Sequence, residues 1–283
     1  MEGGTVGVIG LGQMGSQIAL LCALRGLYTR VFDSVEGVPE HFQRWAASYL
    51  DDRVQKGKLD PAAAEQARTR LFIEKRIEDC VRPADYVVEA VVENLQAKQQ
   101  VFQEADEASH RALLFTNSST IPSSQLVKGL RSPGRVCNVH FFNPALVMEL
   151  VEIVKGPHTT GETVTAALEF ARRLGKTPVL LNREIRGFAV NRVLDSIWRE
   201  SVYLVGDGVI SPEDLDTAVV KGLGHPMGPF RLMDLVGIDL VYSTQEAAYR
   251  ETGEARLAPS PLLATKVNKG ETGKKSGKGW YSY

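Results

Sequence analysis

Residues 5–15 read TVGVIGLGQMG, a short β-type run that ends in a turn with three glycines at GxGxxG spacing. The following residues, 13–26, repeat apolar side chains at helical spacing, and Tyr28–Phe32 is a second β-type run that ends at Asp33. A strand, a glycine turn, a helix and a second strand closed by an acid are typical of a dinucleotide-binding βαβ unit.

The residues of this turn have separate tasks. Gly10 permits the tight turn, Gly12 lets the backbone approach a pyrophosphate, and Gly15 lets the helix pack closely on the strand. Gln13 and Met14 open the helix, where backbone N–H groups and a partial positive charge favour phosphate. We therefore expect these five residues to bind the cofactor.

Asp33 indicates which dinucleotide binds. A carboxylate at this position accepts hydrogen bonds from the adenosine ribose hydroxyls and repels a 2′-phosphate. Neither Arg nor Lys directly follows Asp33 to bind that phosphate. The sequence favours NAD over NADP, with a flavin, or a glycine turn that binds no nucleotide, as the alternatives.

The alternation continues along the first two thirds of the chain. Residues 38–68 are predicted to form a helical hairpin inserted before the third strand. Strands are then predicted over 71–73, 86–89, 113–116, 136–140, 148–154 and 177–181, with helices over 94–108, 122–128 and 161–174. This pattern predicts an α/β fold of the Rossmann type, with a doubly wound, mostly parallel sheet.

The character of the chain changes after residue 182. Helical periodicity with glycine stops replaces the strand pattern, and predicts helices over 187–206, 212–222, 229–250 and 260–268. The sequence therefore predicts a cofactor-binding domain at 1–183 and an all-helical domain at 184–283.

Composition limits the possible partners. The 283 residues carry a net charge of −1 and 43% hydrophobic residues, which favours neither a nucleic acid nor a membrane as partner. The start, Met1–Gly4, lacks the basic and apolar segments of a secretory signal, so we expect a cytoplasmic protein. The three cysteines are far apart, so neither a disulfide framework nor a metal site is expected.

His140 and Glu152 are the candidate acid/base pair. His140 ends a predicted strand, on the carboxyl edge where open α/β sheets bind ligands, and an imidazole can take a hydroxyl proton at neutral pH. Glu152 shares a face of the next predicted strand with Leu150 and Val154, and a carboxylate on an apolar face needs a partner. The alternative for His140 is a hydrogen-bonded core histidine.

Five longer stretches resemble one enzyme family. They are YVVEAVVENLQAK (Tyr86–Lys98), GRVCNVHFFNPALVMELVEIV (Gly134–Val154), RGFAVNRVL (Arg186–Leu194), LGHPMGPFRLMDLVG (Leu223–Gly237) and KKSGKGWYSY (Lys274–Tyr283). Together, and in this order, they are similar to the L-3-hydroxyacyl-CoA dehydrogenase family, and to 3-hydroxybutyryl-CoA dehydrogenases in particular. The resemblance implies an NAD-dependent enzyme of fatty acid metabolism that acts on an acyl-CoA thioester.

The resemblance also implies the catalytic set. His140 and Glu152 match the family's catalytic pair, and Ser119 and Asn191 match its substrate-binding serine and asparagine. The family usually reads SNTSS where this chain has TNSST at 116–120, which exchanges serine and threonine at 116, 118 and 120 and keeps every hydroxyl. An ordinary turn serine is the alternative for Ser119, and a helix-surface amide for Asn191.

Further contacts follow from the same resemblance. Those implied for the dinucleotide are Glu93, Lys98, Asn117, Asn143 and Lys275. Lys56 matches a lysine near the coenzyme A phosphates, where Arg53 and Lys58 could assist. A solvated ion pair at a helix start is the alternative for Glu93 and Lys98. The resemblance and the apolar faces of the helical domain imply a homodimer.

Other hydroxyacid dehydrogenases are the rival interpretation. GLGQMG also suits the hydroxyisobutyrate type, but this chain lacks that group's DAPVSGG-type loop. A gulonate dehydrogenase and a catalytically silent NAD-binding protein are further alternatives. The sequence leaves open the acyl chain length and the direction of the pathway. It also leaves open whether the acyl end carries a carboxylate, as in 3-hydroxyadipyl-CoA.

Overall fold

The computed structural model describes residues 3–283. Met1 and Glu2, on which the expected absence of a secretory signal partly rests, lie outside the described residues. The chain divides into two compact units, of which the first ends at Phe188 and the second runs from Ala189 to Tyr283. The sequence had predicted a boundary at residue 183.

The centre of the first unit is an eight-stranded sheet. In chain order its strands are β1 (Thr5–Ile9), β2 (Tyr28–Phe32), β3 (Leu71–Ile73), β4 (Tyr86–Glu89), β5 (Leu113–Thr116), β6 (Val136–Phe141), β7 (Leu150–Val154) and β8 (Thr177–Leu181). They are arranged as β3-β2-β1-β4-β5-β6-β7-β8. The strand order reverses between β1 and β4, and the loops that follow these two strands therefore flank a ligand-binding crevice.

Neighbouring strands are parallel with one exception. The β6–β7 pair is antiparallel, whereas β8 is again parallel to β7. β1 and β6 are almost wholly buried because helices cover both faces of the sheet. The predicted doubly wound, mostly parallel α/β fold is confirmed.

Six helices lie within residues 3–188, the part of the first unit that the structure describes. They are α1 (Gln13–Leu24), α2 (Val38–Gln55), α3 (Pro61–Thr69), α4 (Ile77–Val81), α5 (Leu95–Ala108) and α6 (Gly161–Arg173). The α2–α3 pair is the predicted helical hairpin, and Asp60 caps α3 by accepting the N–H groups of Ala62 and Ala63. The sequence analysis missed α4, whose five residues are too few to show helical periodicity.

The helix predicted over 122–128 is wrong. Only a three-residue 3-10 turn, Ser123–Gln125, forms there. The side chain of Asn138 accepts the N–H group of Ser123, and Glu184 accepts the N–H group that follows. Because side chains satisfy these donors, the segment does not need helical hydrogen bonds.

Five helices form the second unit. They are α7 (Val190–Gly206), α8 (Pro212–Leu223), α9 (Pro229–Val236), α10 (Ile238–Thr252) and α11 (Pro261–Asn268). The single helix predicted over 229–250 is therefore two, since Gly237 adopts a φ of 109° that ends α9. α7 also begins three residues later than predicted, because Phe188 adopts a left-handed conformation just before it.

Each unit has its own apolar core. Apolar side chains pack on the two faces of the sheet in the first unit, and Trp198, Phe230 and Met233 are central to the core of the second. Burial raises the pKa of all three cysteine thiols, so they act as small apolar side chains. Within residues 3–283, no helix is both long enough and apolar enough to cross a membrane.

Substitution of Phe170, on α6, tests this packing. Its buried ring lies 4.8 Å from that of Tyr86 and 5.6 Å from that of Phe115, measured between centroids. Phe170→Ala should lower the free energy of unfolding by about 3–5 kcal/mol, because it opens a cavity between helix and sheet. Urea denaturation measures the loss, and the exposed neighbour Glu169→Ala is the control. Equal stability of the two variants would contradict the packing.

Candidate active site

The glycine turn after β1 has a geometry that only glycine fits at two of its three positions. Gly10 has a φ of +92°, and a Cβ added there would lie 2.7 Å from the backbone of Ala90. A Cβ on Gly15 would lie 1.8 Å from the carbonyl oxygen of Gly10. A Cβ on Gly12 would meet nothing within 4 Å, so the space beside this residue is open to a ligand.

The N-terminus of α1 lacks a side-chain cap. Gly12 occupies the N-cap position and offers no side-chain acceptor to the first backbone N–H groups, those of Gln13 and Met14 included. By contrast, α3, α5, α6, α8 and α11 are each capped by a polar side chain. The free donors and the positive end of the helix dipole suit a phosphate of the dinucleotide.

Asp33 is fixed against the glycine turn. Its Oδ2 accepts a hydrogen bond of 2.7 Å from the N–H group of Leu11, and its Oδ1 accepts one of 2.9 Å from Val35. Each carboxylate oxygen has a second lone pair for a ribose hydroxyl. The turn, the uncapped helix and this acid therefore fit NAD.

His140 and Glu152 lie opposite each other in the antiparallel β6–β7 pair. His140 Nδ1 and Glu152 Oε2 are 3.0 Å apart, and both side chains are almost completely buried. The hydrogen bond orients the ring and fixes the proton on Nδ1, so that Nε2 is the basic nitrogen. Nε2 has no hydrogen-bonding partner among the described residues, which leaves it free for a substrate.

Two aromatic rings flank the imidazole. The ring centroid of His140 lies 4.6 Å from that of Phe142 and 5.6 Å from that of Phe188. Phe188 is buried and has a φ of 49°, a strained conformation for a residue other than glycine. The sequence analysis gave neither phenylalanine a role, although both lie within the stretches that carry the family resemblance.

The turn at 116–120 uses its polar side chains internally, with one exception. Thr116 Oγ1 donates to Glu89 at 2.8 Å, and Asn117 Oδ1 accepts the N–H group of Phe141 at 2.9 Å. Ser118 and Thr120 both donate to Glu93. Ser119 alone has a half-buried hydroxyl without a partner among the described residues, and it is therefore available to a ligand.

A buried ion pair is hydrogen-bonded to the turn at 116–120. Lys98 Nζ is 2.7 Å from Glu89 Oε1 and 3.2 Å from Glu93 Oε2, and the side chains of Lys98 and Glu89 are each only 1% exposed. Burial raises the pKa of Glu89, although Lys98 and Thr116 stabilise its ionised form. Burial also acts on Glu93, but hydrogen bonds from Ser118 and Thr120 and the charge of Lys98 hold its pKa below the usual value.

Lys98 is not the solvated residue that the alternative interpretation described. Its three N–H donors face three oxygens, those of Glu89, Glu93 and the carbonyl of Val91. An additional bond to a dinucleotide would require one of these to be released. Glu93, by contrast, keeps 43% of its side chain exposed and can face a ligand.

Asn143 lies in the loop between β6 and β7. Its side-chain oxygen accepts a hydrogen bond of 3.3 Å from Gln17, one turn after Gln13 on α1. Asn143 is exposed and follows closely after His140 in the sequence. The sequence analysis did not identify Gln17, because a glutamine on a helix carries no distinctive signal.

For the remaining predicted residues, the structure describes contacts within their own unit. Lys56 follows α2 and pairs with Asp52 at 2.6 Å, with Arg53 and Lys58 close to it in the chain. In the second unit, Lys275 pairs with Asp239 at 2.7 Å, and Asn191 lies half-buried in the first turn of α7. Their roles toward ligands stay predictions.

Glu89 and Thr116 are two further polar residues that the sequence analysis missed. Both end strands at the carboxyl edge and both are almost fully buried. For Glu89 the sequence did contain a signal, because a carboxylate at the end of an apolar strand is buried and therefore requires a partner.

Family models match nearly the whole chain. The model described as the NAD binding domain of 3-hydroxyacyl-CoA dehydrogenase matches residues 5–185. The model described as the C-terminal domain of 3-hydroxyacyl-CoA dehydrogenase matches residues 187–283.

Individual relatives are similar along their full length. A probable 3-hydroxybutyryl-CoA dehydrogenase of Bacillus subtilis is 36% identical over 284 residues, which is 100% of this chain and 98% of the relative. The 3-hydroxybutyryl-CoA dehydrogenase of Mycobacterium tuberculosis is 36% identical over 280 residues, with 98% of both chains covered. The crystal structure of (S)-3-hydroxybutyryl-CoA dehydrogenase PaaH1 from Ralstonia eutropha superimposes with a TM-score of 0.93, at 32% identity and with 99% and 98% of the two chains covered.

Asp33 provides a test of the cofactor site. Asp33→Asn should weaken NADH binding by about 10-fold and reduce the preference for NADH over NADPH, because it removes a charged acceptor and the repulsion of a 2′-phosphate. Titrations of NADH and NADPH followed by fluorescence measure both effects. Glu36→Gln, the same change at a nearby exposed acid, should leave both constants unaltered. An unchanged NADH affinity in Asp33→Asn would disprove the assignment.

Proposed function

Since the chain belongs to the 3-hydroxyacyl-CoA dehydrogenase family, we propose that it interconverts (S)-3-hydroxyacyl-CoA and 3-ketoacyl-CoA thioesters, with 3-hydroxybutyryl-CoA as its substrate. The proposed acyl group is that of the relatives from B. subtilis and M. tuberculosis, which carry the name 3-hydroxybutyryl-CoA dehydrogenase. The single observation that carries the mechanism is the buried hydrogen bond of 3.0 Å between His140 and Glu152.

His140 is the proposed acid/base. In the oxidative direction Nε2 takes the proton of the 3-hydroxyl group, and in the reductive direction the imidazolium returns a proton to the 3-keto oxygen. Glu152 accepts a hydrogen bond from Nδ1–H in both directions and stabilises the positive charge that the ring acquires. Phe142 and Phe188 pack beside the ring, and the His140 side chain is only 8% exposed.

The first unit supplies the cofactor site. Bound NAD would supply the hydride acceptor for C3 of the substrate, and NADH the donor in the reverse direction. Gly12 and the first turn of α1 would bind the pyrophosphate, and Asp33 the adenosine ribose. Glu93, Asn117 and the other dinucleotide contacts implied by the resemblance, Lys98, Asn143 and Lys275, are proposed on that resemblance.

The substrate contacts are proposed on the same basis. Ser119 is supported by its hydroxyl, which has no partner among the residues that the structure describes, whereas the other hydroxyls of the turn bind to Glu89 or Glu93. Asn191 and Lys56 are proposed from the family resemblance, as partners of the substrate and of the coenzyme A phosphates.

Competing activities are separated by one assay. Oxidation of NADH with acetoacetyl-CoA supports the proposal, whereas reduction of NAD with hydroxyisobutyrate or gulonate supports a rival dehydrogenase. Longer 3-ketoacyl-CoA substrates, and one with a terminal carboxylate, define the acyl specificity. An enzyme that is silent with every acyl-CoA would refute the proposal.

The proposed acid/base is tested by substitution. His140→Ala should lower kcat by a factor on the order of 10²–10⁴, because the hydroxyl proton loses its acceptor. Glu152→Gln should lower kcat by about 10- to 100-fold, because a neutral amide stabilises the imidazolium less than a carboxylate does. Steady-state kinetics with acetoacetyl-CoA measure both, and NADH affinity should change little in either variant. His41→Ala, an exposed histidine on α2, is the control. Near-full activity of His140→Ala would exclude the mechanism.

We also propose a homodimer formed through the second unit. Large apolar side chains are exposed on this unit, among them Leu223 at 69%, Leu235 at 55% and Leu240 at 54%. So small a helical unit rarely leaves this much apolar surface in water.

Light scattering after gel filtration tests the dimer. We expect twice the chain mass of 31.0 kDa. Leu240→Glu should shift the population toward monomer, because a charge at an apolar interface is costly. Val179→Glu, an exposed apolar residue on β8 of the first unit, is the matched control. A monomeric wild-type protein would contradict this assignment.

A further inference from the structure

We infer that Ser118 and Thr120 are positioning residues, which act through the carboxylate of Glu93 to hold the turn that presents the Ser119 hydroxyl to the acyl-CoA thioester. The inference rests on the proposed function, in which Ser119 binds the substrate. It assigns a role to the two hydroxyls that stand on either side of Ser119 in TNSST.

Both neighbours of Ser119 are fastened to the same carboxylate oxygen. Ser118 Oγ donates to Glu93 Oε1, and Thr120 Oγ1 donates to the same atom at 2.5 Å. Since residues 118 and 120 are anchored at one point, the backbone between them has little freedom to rotate. The side chain of Ser119 is therefore directed by its neighbours and not by a hydrogen bond of its own.

Ser118 also fixes the exit from the turn. Its Oγ accepts the N–H group of Ile121 at 2.8 Å and that of Thr120 at 3.3 Å. The fully buried Asn138 donates to the carbonyl of Ser118 at 3.3 Å and to that of Ile121 at 3.0 Å. Hydrogen bonds on both sides thus hold the segment that contains Ser119.

Glu93 is itself held in place. Its Oε2 lies 3.2 Å from Lys98, an ammonium group that is also bonded to Glu89. Thr116, which begins the turn, donates to the other oxygen of Glu89. The same buried cation therefore supports both ends of the turn, once through Glu89 and once through Glu93.

Precise positioning of the Ser119 hydroxyl has a functional reason. A serine hydroxyl rotates freely about its Cα–Cβ and Cβ–O bonds. A displacement of about 1 Å in a group that holds a substrate can lower the rate by as much as two orders of magnitude. Among residues 3–283 the Ser119 hydroxyl has no hydrogen-bonding partner, so its alignment depends on the backbone that Ser118 and Thr120 fix. Removal of those two hydroxyls should reduce catalysis only as long as Ser119 is present.

A double-mutant cycle tests this dependence. The variants are Thr120→Val, which removes one donor at an exposed site, the pair Ser118→Ala with Thr120→Val, and the same changes combined with Ser119→Ala. With Ser119 present, we expect kcat/KM for acetoacetyl-CoA to fall on the order of 10-fold in the pair. With Ser119→Ala already in place, the Ser118 and Thr120 substitutions should change kcat/KM by no more than about 2-fold. Ser119 and its two neighbours act as one unit, so the second loss does not add to the first. NADH affinity and Tm report whether each variant is folded.

Matched controls and outcomes complete the experiment. Thr165→Val and Ser243→Ala remove exposed hydroxyls that bond only to a carbonyl of their own helix, and should leave kcat/KM unchanged. Full activity of the Ser118/Thr120 pair overturns the inference, and so does an equal loss in the presence and absence of Ser119. Wild-type protein that is inactive with every acyl-CoA overturns the proposed function as well, which distinguishes the two failures.

Discussion

The reversal of chain direction between β6 and β7 places His140 opposite Glu152, and the candidate chemistry depends on that register. Directly opposed residues of antiparallel strands have Cβ atoms about 5 Å apart, close enough for an imidazole and a carboxylate to bond. A slip of one residue would turn one side chain to the other face of the sheet and leave a buried carboxylate unpaired. The register is maintained by buried neighbours such as Val139 and Val151, so the apolar packing of the sheet also sets the geometry of the acid/base pair.

A second buried charge pair organises the other side of the site. Lys98 and Glu89 join the start of α5 to the end of β4, and hydroxyls from the turn after β5 bind to the two carboxylates near Lys98. Three elements that are distant in sequence are thus connected through one ammonium group. Such pairs add little to stability, because desolvation of the two charges offsets their attraction. Their effect is geometric, since each buried carboxylate oxygen faces only a few possible donors.

Much of this arrangement could be predicted from the sequence. Glycine spacing and strand alternation predicted the doubly wound sheet, and the apolar face around Glu152 indicated His140 as its partner. The single helix predicted over 229–250 failed because periodicity continues across Gly237, where the backbone turns. The burial of Lys98 could not be foreseen either, since it depends on three oxygens that come together only in the folded sheet. Local patterns thus predicted the elements, whereas the polar network required long-range contacts.

The uncapped first turn of α1 has a consequence for the life of the protein in the cell. In α1 the first backbone N–H groups receive no side-chain cap and are available to a ligand phosphate. A ligand that binds only the folded state stabilises it by about 2.7 kcal/mol when present at 100 times its Kd. The supply of dinucleotide therefore acts as an external contribution to folding. A cell depleted of the cofactor would hold a larger unfolded fraction of this chain, and would lose it faster to proteolysis.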